Sequence, residues 1–182
     1  MISDDDRRRL LAIARRALEA KVRQATPPAV DLHLDVETGA FVTISRHGEL
    51  RGCLGRLTPD LPLPHLVTEL ARAVADSDPR FTRVLPSELD DITIEISVLT
   101  PEREIESLAE IEVGRHGVIV EQDMRRGLLL PQVAIEQRWD RETFLNHTCL
   151  KAGLPADAWK RGARILVFEA EVFGDHVSRR TH

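Results

Sequence analysis

The chain has 182 residues, of which 42% are hydrophobic and 30% charged, so it can bury a core and is too apolar to be disordered throughout. A formal charge of −5 and an aromatic content of 4% argue against a nucleic-acid-binding surface, which needs basic stripes and stacking rings. Two cysteines make neither a disulfide scaffold nor a four-ligand zinc site, and no apolar run is long enough to span a membrane, so we expect a cytoplasmic protein.

The N-terminal segment is predicted to form an amphipathic helix over residues 3–25. Ser3 and Asp6 have the spacing of a capping box, which satisfies backbone N–H groups of the first turn. Thr26-Pro27-Pro28 ends the helix, because proline lacks the donor that a helix needs and disfavours helical geometry in the residue before it. The apolar stripe recurs at spacings of three and four and consists of Leu10, Ala14, Ala17, Leu18 and Val22.

A β-hairpin, a helix and a strand are predicted next, in that order. Residues 40–46 and 49–57 have extended character and flank His47-Gly48, which is a turn signal. A second helix is predicted over residues 65–76, after a loop broken by prolines. Residues 92–98 alternate isoleucine or valine with polar side chains, which is typical of a strand with one buried face.

The second half of the chain repeats this order of elements. The pattern predicts strands over residues 117–122 and 127–130 around a turn at 123–126, a helix over 131–138, and a last strand over 165–173. Asp140 is the predicted N-cap of a further helix, which Gly153 and Pro155 close.

Three positions of the first half coincide with three of the second at one constant offset: Arg51 with Arg126, Gly52 with Gly127, and Ile44 with Ile119. With an offset one residue longer, Ile92, Ile94 and Ile96 coincide with Phe168, Ala170 and Val172. This order predicts an internal duplication, with repeats at about 40–100 and 115–173, although α+β sequences also show it by chance.

We therefore predict an α+β fold in which residues 1–182 form one two-lobed domain. Two β-β-α-β repeats would build a mostly antiparallel sheet or a barrel-like core, with the helices outside. The polar tail over residues 174–182 is expected to fray.

The most unusual segment of the chain is Arg51-Gly52-Cys53-Leu54-Gly55. Glycine weakens a strand and is tolerated where a bulge, another backbone or a ligand comes close, so Gly52 and Gly55 would leave the Cys53 sulfur uncovered. In an extended strand, Arg51 and Cys53 share one face, and a guanidinium beside a thiol favours the nucleophilic thiolate. The alternative is that Cys53 is a small buried hydrophobe and the glycines serve only a bulge.

Other candidate site residues surround this segment in the chain. His47 and His65 are the nearest candidates for a general base, and each is also a plausible surface or capping histidine. Arg80, in Asp78-Pro79-Arg80-Phe81, could bind an anionic ligand or pair with a carboxylate of residues 88–91. Cys149 is predicted to pack in the core. The histidine spacings, the missing Cys-x-x-Cys and the missing phosphate-binding loops predict no metal and no cofactor.

Five segments, read in order, resemble the AMMECR domain family, whose bacterial and archaeal members include protein A of the AmmeMemoRadiSam system. They are Leu50–Gly55, Asp78–Phe81, Ile94–Pro101, Leu129–Ala134 and Lys151–Leu154. Leu54 departs slightly from the family, in which isoleucine is more usual.

The resemblance implies a compact two-lobed α+β fold built from β-rich repeats around a barrel-like core. It also implies two partners, a Memo-type protein similar to extradiol dioxygenase subunits and a radical S-adenosylmethionine protein. The family's own reaction is unsettled, and its suspected functional core maps onto Arg51, Gly52, Cys53 and Gly55.

Two hypotheses for the function remain open. In the first, the protein is an enzyme or enzyme subunit in which Cys53 is the nucleophile or transient acceptor, and Arg51 holds the thiolate or an anionic substrate group. In the second, it is a non-catalytic module that binds a small ligand or a peptide, or delivers a substrate to its partners. Nucleic-acid regulation is a third and poorly supported possibility.

Overall fold

A computed structural model describes residues 2–175, which divide into two compact units. The described part of unit 1 is residues 2–99 and 171–175, and unit 2 is Thr100–Ala170. The helices are α1 (Asp4–Val22), α2 (Leu63–Ala73), α3 (Pro131–Glu136) and α4 (Arg141–Lys151). The strands are β1 (Ala40–Arg46), β2 (Glu49–Arg56), β3 (Ile92–Leu99), β4 (Arg103–Glu104), β5 (Gly117–Gln122), β6 (Arg125–Leu129), β7 (Arg164–Phe168) and β8 (Ala170–Gly174).

Unit 1 is built on a four-stranded sheet with the order β2-β1-β3-β8, in which β2 is an edge strand. Strand β1 runs antiparallel to both β2 and β3. Its alternating side chains Val42 and Ile44 are fully buried and belong to one core with the apolar faces of α1 and α2. The opposite face of the sheet therefore carries the polar alternates, and the candidate site lies there.

Helix α1 begins as the sequence predicts and ends earlier. Ser3 is its N-cap, and the Ser3 hydroxyl accepts the Asp6 N–H at 3.1 Å. The helix ends at Val22, because Gln24 takes a left-handed backbone conformation with φ of 55°.

Helix α2 begins at Leu63, two residues before the predicted start, since Pro64 suits a first helical turn that needs no N–H donor.

Unit 2 contains the second four-stranded sheet, with the order β4-β7-β5-β6. Strand β5 runs antiparallel to both β6 and β7. The predicted N-cap of α4 is confirmed, since the Asp140 carboxylate accepts the Thr143 N–H at 2.8 Å. Cys149 is fully buried on this helix, as predicted, and belongs to the core of unit 2.

The α+β prediction is confirmed, and the strands form two four-stranded sheets. The single last strand predicted over 165–173 is wrong, because the segment divides at Glu169 into β7 and β8, which lie in different sheets. The Glu169 backbone leaves the β-ladder there and bonds to Thr100, whose Oγ1 accepts the Glu169 N–H at 2.8 Å. The predicted fraying of residues 174–182 falls outside the described residues, except that Gly174 ends β8 and Asp175 follows it.

The registers correct the alignment of the two halves. Gly52 lies opposite Ile44 in the first hairpin, whereas Gly127 lies opposite Val120 in the second. Ile44 therefore corresponds to Val120 and not to Ile119. In the same way, Ile96 lies opposite Val42 and Val167 lies opposite Val118, so the predicted match of Ile92 with Phe168 is also wrong. The duplication itself stays a prediction.

None of the helices in the described range is long and apolar enough to cross a membrane.

Candidate functional site

A β-bulge at Arg51 determines the geometry around Cys53. Cys53 lies opposite Thr43, and Gly52 lies opposite Ile44, but Ser45 pairs with Leu50. Arg51 is therefore an extra residue in β2 without a partner on β1. The rule that residues two apart share a face holds only in a regular strand, so the spacing of Arg51 and Cys53 does not place the guanidinium beside the sulfur.

Cys53 is only partly buried and lies on the side of the sheet that faces away from the core of unit 1. The hydroxyl Oγ1 of Thr43, directly across the strand pair, donates to Cys53 Sγ at 3.2 Å. The Cys53 N–H donates to the Asp78 carboxylate at 2.9 Å. Cys53 is thus fixed by one polar contact at its sulfur and one at its backbone, and the residue remains partly exposed.

Asp78 and Arg80 form a clamp on the edge of β2. The Asp78 side chain is 3% exposed, and its carboxylate accepts Arg80 Nε at 3.0 Å, Arg80 Nη2 at 2.8 Å and the Arg80 backbone N–H at 3.1 Å. The Arg80 hydrogen bond above all, together with the backbone N–H groups of Cys53 and Arg80, holds the pKa of Asp78 far below its usual range. Arg80 therefore pairs with Asp78 and not with the acidic segment 88–91, which was one of its two predicted roles.

The Arg80 side chain is itself 56% exposed. Its pKa is raised, chiefly by the hydrogen bond to Asp78. Arg80 Nη2 and the Cys53 N–H bond to the same Asp78 oxygen, Oδ2, at 2.8 Å and 2.9 Å, so the guanidinium lies beside the Cys53 backbone.

Arg51 has a different set of partners. Its Nε donates to the Glu88 carboxylate at 2.9 Å and its Nη2 at 3.2 Å, in a pair whose side chains are 14% and 9% exposed. The remaining donors bond to the carbonyl oxygens of Thr82 at 2.9 Å and Arg83 at 3.2 Å. Hydrogen bonding by Arg51, followed by the Leu85 N–H, lowers the pKa of Glu88. Arg51 thus fastens the 82–88 segment to β2.

The two glycines each allow a close approach that has nothing to do with the sulfur. A Cβ added to Gly52 would lie 3.0 Å from Val74 Cγ2 and 3.3 Å from Ile44 Cγ1, on the core side of the sheet. A Cβ added to Gly55 would overlap the ring of Phe41, which lies directly opposite it on β1. The aromatic ring covers the glycine and compensates for its missing side chain.

The two candidate histidines do not contact the thiol. His65 is exposed in the first turn of α2, and His47 occupies the hairpin turn with φ of 53°, its Nε2 3.5 Å from Asp91. Within residues 2–175, no hydrogen bond joins either ring to Cys53. The same part of the chain holds no cluster of three or more His, Cys, Asp or Glu side chains that could bind a metal.

A cavity of about 210 Å³ opens on the same face of the sheet as Cys53. Its polar walls are Thr43, Ser45, Thr93, Glu95 and the Gly174-Asp175 end of β8. A larger cavity of about 420 Å³ is lined by unit 2 residues such as Trp159 and Arg164, and none of the predicted site residues contributes to it. Sequence reasoning missed Thr43 and Glu95, because their proximity to Cys53 follows only from the strand register.

The structure therefore brings together Cys53, Arg80, Asp78 and Thr43, with Gly52 and Gly55 in the same strand. Arg51 is adjacent in sequence and bonded elsewhere, and His65 is not joined to the group.

A protein from Methanothermobacter thermautotrophicus is 45% identical over 183 residues, covering 94% of this chain and 95% of its relative. A protein from Thermococcus onnurineus is also 45% identical, with coverages of 90% and 87%. The crystal structure of an uncharacterized protein from Pyrococcus horikoshii, 39% identical, superposes with a TM-score of 0.77 and covers 96% of this chain and 94% of that one. The family model named AMMECR1 matches residues 11–173, and this chain belongs to the AMMECR1 family.

Proposed function

We propose that the protein is an enzyme, or a subunit of one, in which Cys53 acts as a nucleophile or transient group acceptor. The observation that carries the proposal is the environment of the sulfur. Cys53 is partly exposed, its Sγ accepts a hydrogen bond from Thr43 Oγ1, and its backbone N–H shares the Asp78 carboxylate with the Arg80 guanidinium. A cation and a hydroxyl donor both stabilise negative charge on sulfur, which is the charge of the nucleophilic form.

The roles of the neighbouring residues differ from those expected from their spacing. Arg80 stabilises the thiolate, or holds an anionic group of the substrate beside it. Asp78 positions both Arg80 and the Cys53 backbone through its hydrogen bonds. Arg51 supports the site from a distance through Glu88. A thiolate formed in this way needs no histidine base, which fits the positions of His47 and His65.

Membership of the AMMECR1 family supports a proposal about partners. We infer that the protein acts in the cytoplasm, within an AmmeMemoRadiSam system, together with a Memo-like protein and a radical S-adenosylmethionine protein. The substrate of Cys53 would then be supplied or consumed by one of these partners. Co-purification of the three proteins from the native organism tests this inference, and recovery of the chain without either partner would count against it.

The reactivity of Cys53 can be measured without knowing the substrate. Iodoacetamide is uncharged, so its alkylation rate reports the reactivity of the thiol and not an electrostatic attraction between the reagent and the protein. We expect Cys53, identified by peptide mapping, to react faster at neutral pH than an unstructured thiol. Arg80→Gln should slow the reaction. Arg83→Gln removes the same charge from the same loop, and it should leave the rate unchanged. A Cys53 that reacts no faster than a model thiol would overturn the proposal.

A second candidate function is a non-catalytic module that binds a small ligand or a peptide. The polar cavity beside Thr43 favours it, because a cavity can hold a ligand whether or not the thiol reacts. In this case Cys53→Ser would preserve function in the cell, whereas Arg80→Gln would impair it. If a Cys53→Ser variant has the melting temperature of the wild type and yet loses function, the result would favour the enzyme hypothesis over the binding module.

A further inference from the structure

Four polar side chains form a square on the outer face of the unit 1 sheet. Thr43 lies directly opposite Glu95, and Ser45 lies directly opposite Thr93. Side chains that face each other across an antiparallel pair are about 5 Å apart, so these four make one continuous polar patch. Cys53 extends the row on the other side of Thr43, which gives thiol, hydroxyl and carboxylate on three adjacent strands.

The end of β8 turns this patch into a cavity. Asp175 donates its N–H to the Ile94 carbonyl at 3.0 Å, and its carboxylate accepts the Ile94 N–H in return. Gly174 lies so close to β3 that an added Cβ would be 3.1 Å from the Ile94 oxygen. The Asp175 carboxylate also accepts Arg15 Nη2 at 2.6 Å, so its charge is already compensated.

Glu95 is the uncompensated charge in this cavity. It is exposed, and no side chain within residues 2–175 forms an ion pair or a hydrogen bond with its carboxylate. An ionised carboxylate only accepts hydrogen bonds. The cavity is lined by Glu95 and by Asp175, whose charge Arg15 compensates, so its net charge is about −1 and it attracts a cation.

Two hydroxyl groups of the cavity also have their protons engaged by other atoms. Thr43 donates its proton to Cys53 Sγ at 3.2 Å, and Thr93 donates more weakly to the Ser45 carbonyl at 3.5 Å. Each hydroxyl has one proton and two lone pairs, so both turn acceptor capacity toward the cavity. A cavity that offers several acceptors and a negative charge favours a ligand that is a cation and only donates hydrogen bonds. A primary ammonium group fits this description, because it carries three donors and no acceptor.

We propose that this cavity binds the ammonium group of a small amine and places the rest of that molecule against Cys53. The inference rests on the proposed function, since it names the substrate class of the same thiol. Two strand spacings separate Cys53 from Glu95, which is about 10 Å between backbones. An ammonium group near Glu95 therefore leaves room for a chain of a few bonds before the atom that Cys53 attacks.

Disulfide probes of different charge test this inference. The Cys53 thiolate attacks one sulfur of the probe, a new S–S bond forms, the probe's S–S bond breaks, and the second half leaves as a thiolate. The reaction consumes no other oxidant. The three probes are cystamine, which is cationic, bis(2-hydroxyethyl) disulfide, which is neutral, and dithiodipropionate, which is anionic. Each rate is divided by the rate of the same probe with N-acetylcysteinamide, an uncharged thiol, to remove intrinsic reactivity.

We expect the normalised rate of Cys53 with cystamine to exceed that with the neutral probe by about threefold to tenfold. Glu95→Gln should abolish this preference. Glu49→Gln is the matched control, because Glu49 is an exposed carboxylate in the same sheet that does not line the cavity. It should keep the preference.

Each remaining outcome decides a different question. Equal normalised rates for all three probes, or a faster reaction with the anionic probe, would overturn the inference and leave thiol reactivity intact. A cationic preference that survives Glu95→Gln would also overturn it, since the attraction would then come from the protein's overall charge. If Cys53 reacts no faster than N-acetylcysteinamide with any probe, the result would instead contradict the proposed function.

Discussion

The backbone N–H of Cys53 donates to the Asp78 carboxylate on the free edge of β2. An edge strand exposes unpaired N–H groups, and a carboxylate that accepts one of them takes the place of a neighbouring strand. The same carboxylate binds the Arg80 guanidinium. One buried side chain therefore both protects the sheet edge and fixes the Cys53 backbone relative to the Arg80 guanidinium.

Replacing Asp78 by asparagine should destabilise unit 1. The amide retains one oxygen, loses the charge and brings donors toward Cys53 N–H and Arg80, which are themselves donors. We expect a loss of about 2 kcal/mol in the free energy of unfolding, moderated by the exposure of Arg80. Urea denaturation measures this loss. Asp90→Asn, at an exposed position, should change little, and equal stabilities for the two variants would contradict the prediction.

The contribution of Asp78 should also depend on pH. Its pKa in the folded protein is lower than the value of about 3.9 in the unfolded chain, so the unfolded state takes up its proton first as the pH falls. The stabilisation by the Asp78 carboxylate is complete above about pH 5. It decreases progressively as the pH falls from there toward the pKa of Asp78 in the folded protein. The difference in unfolding free energy between wild type and Asp78→Asn should therefore shrink from pH 6 to pH 3. A difference that stays constant over this range would show that the carboxylate charge is irrelevant.

Arg51 should behave as a structural residue. Arg51→Met leaves the Glu88 carboxylate in a mostly buried site without its main partner, which we expect to cost about 3 kcal/mol. The double variant Arg51→Met/Glu88→Met also removes the unpaired carboxylate, and it should recover much of the lost free energy of unfolding. The alkylation rate of Cys53 in folded Arg51→Met should match the wild-type rate. A large drop in that rate would return Arg51 to the catalytic role expected from its spacing.

The pair of Gly55 and Phe41 should be coupled in stability. Gly55→Ala forces the Phe41 ring out of place, at an expected cost of about 1–2 kcal/mol. In a Phe41→Leu background the same substitution has room for its methyl group and should cost much less. A double-mutant cycle in urea measures the coupling. Additive effects would mean that the ring does not cover the glycine in solution.

The elements of the fold were largely predictable where local signals agree. The hairpin of β1 and β2 combines alternation with a His47-Gly48 turn, and both turn residues have positive φ. Asp140 could be identified as an N-cap because its carboxylate satisfies a donor three residues away. The division of the last strand at Glu169 was not predictable, because its cause is a bond to Thr100, which is distant in sequence.

Cys53 and Arg80 could be singled out from the sequence, whereas Thr43, Glu95 and the hydrogen-bond partners of each residue could not. Cys53 stood out through its glycine neighbours, and Arg80 through the turn that carries it. A one-residue bulge changes which side chains meet, and nothing in the residue types marks Arg51 as the bulged position. The pairing of Arg51 with Glu88 and the row from Cys53 to Glu95 both depend on that register.

The burial of Cys149 gives this protein an internal reporter of opening. The Cys149 sulfur is inaccessible, and desolvation raises the pKa of the thiol. A reagent that modifies Cys53 therefore does not react with Cys149 while the chain is folded. The native protein should consume one equivalent of a thiol reagent rapidly and a second only as unit 2 opens. The rate of the slow phase then measures how fast the core of unit 2 becomes exposed, in the same sample and without any added label.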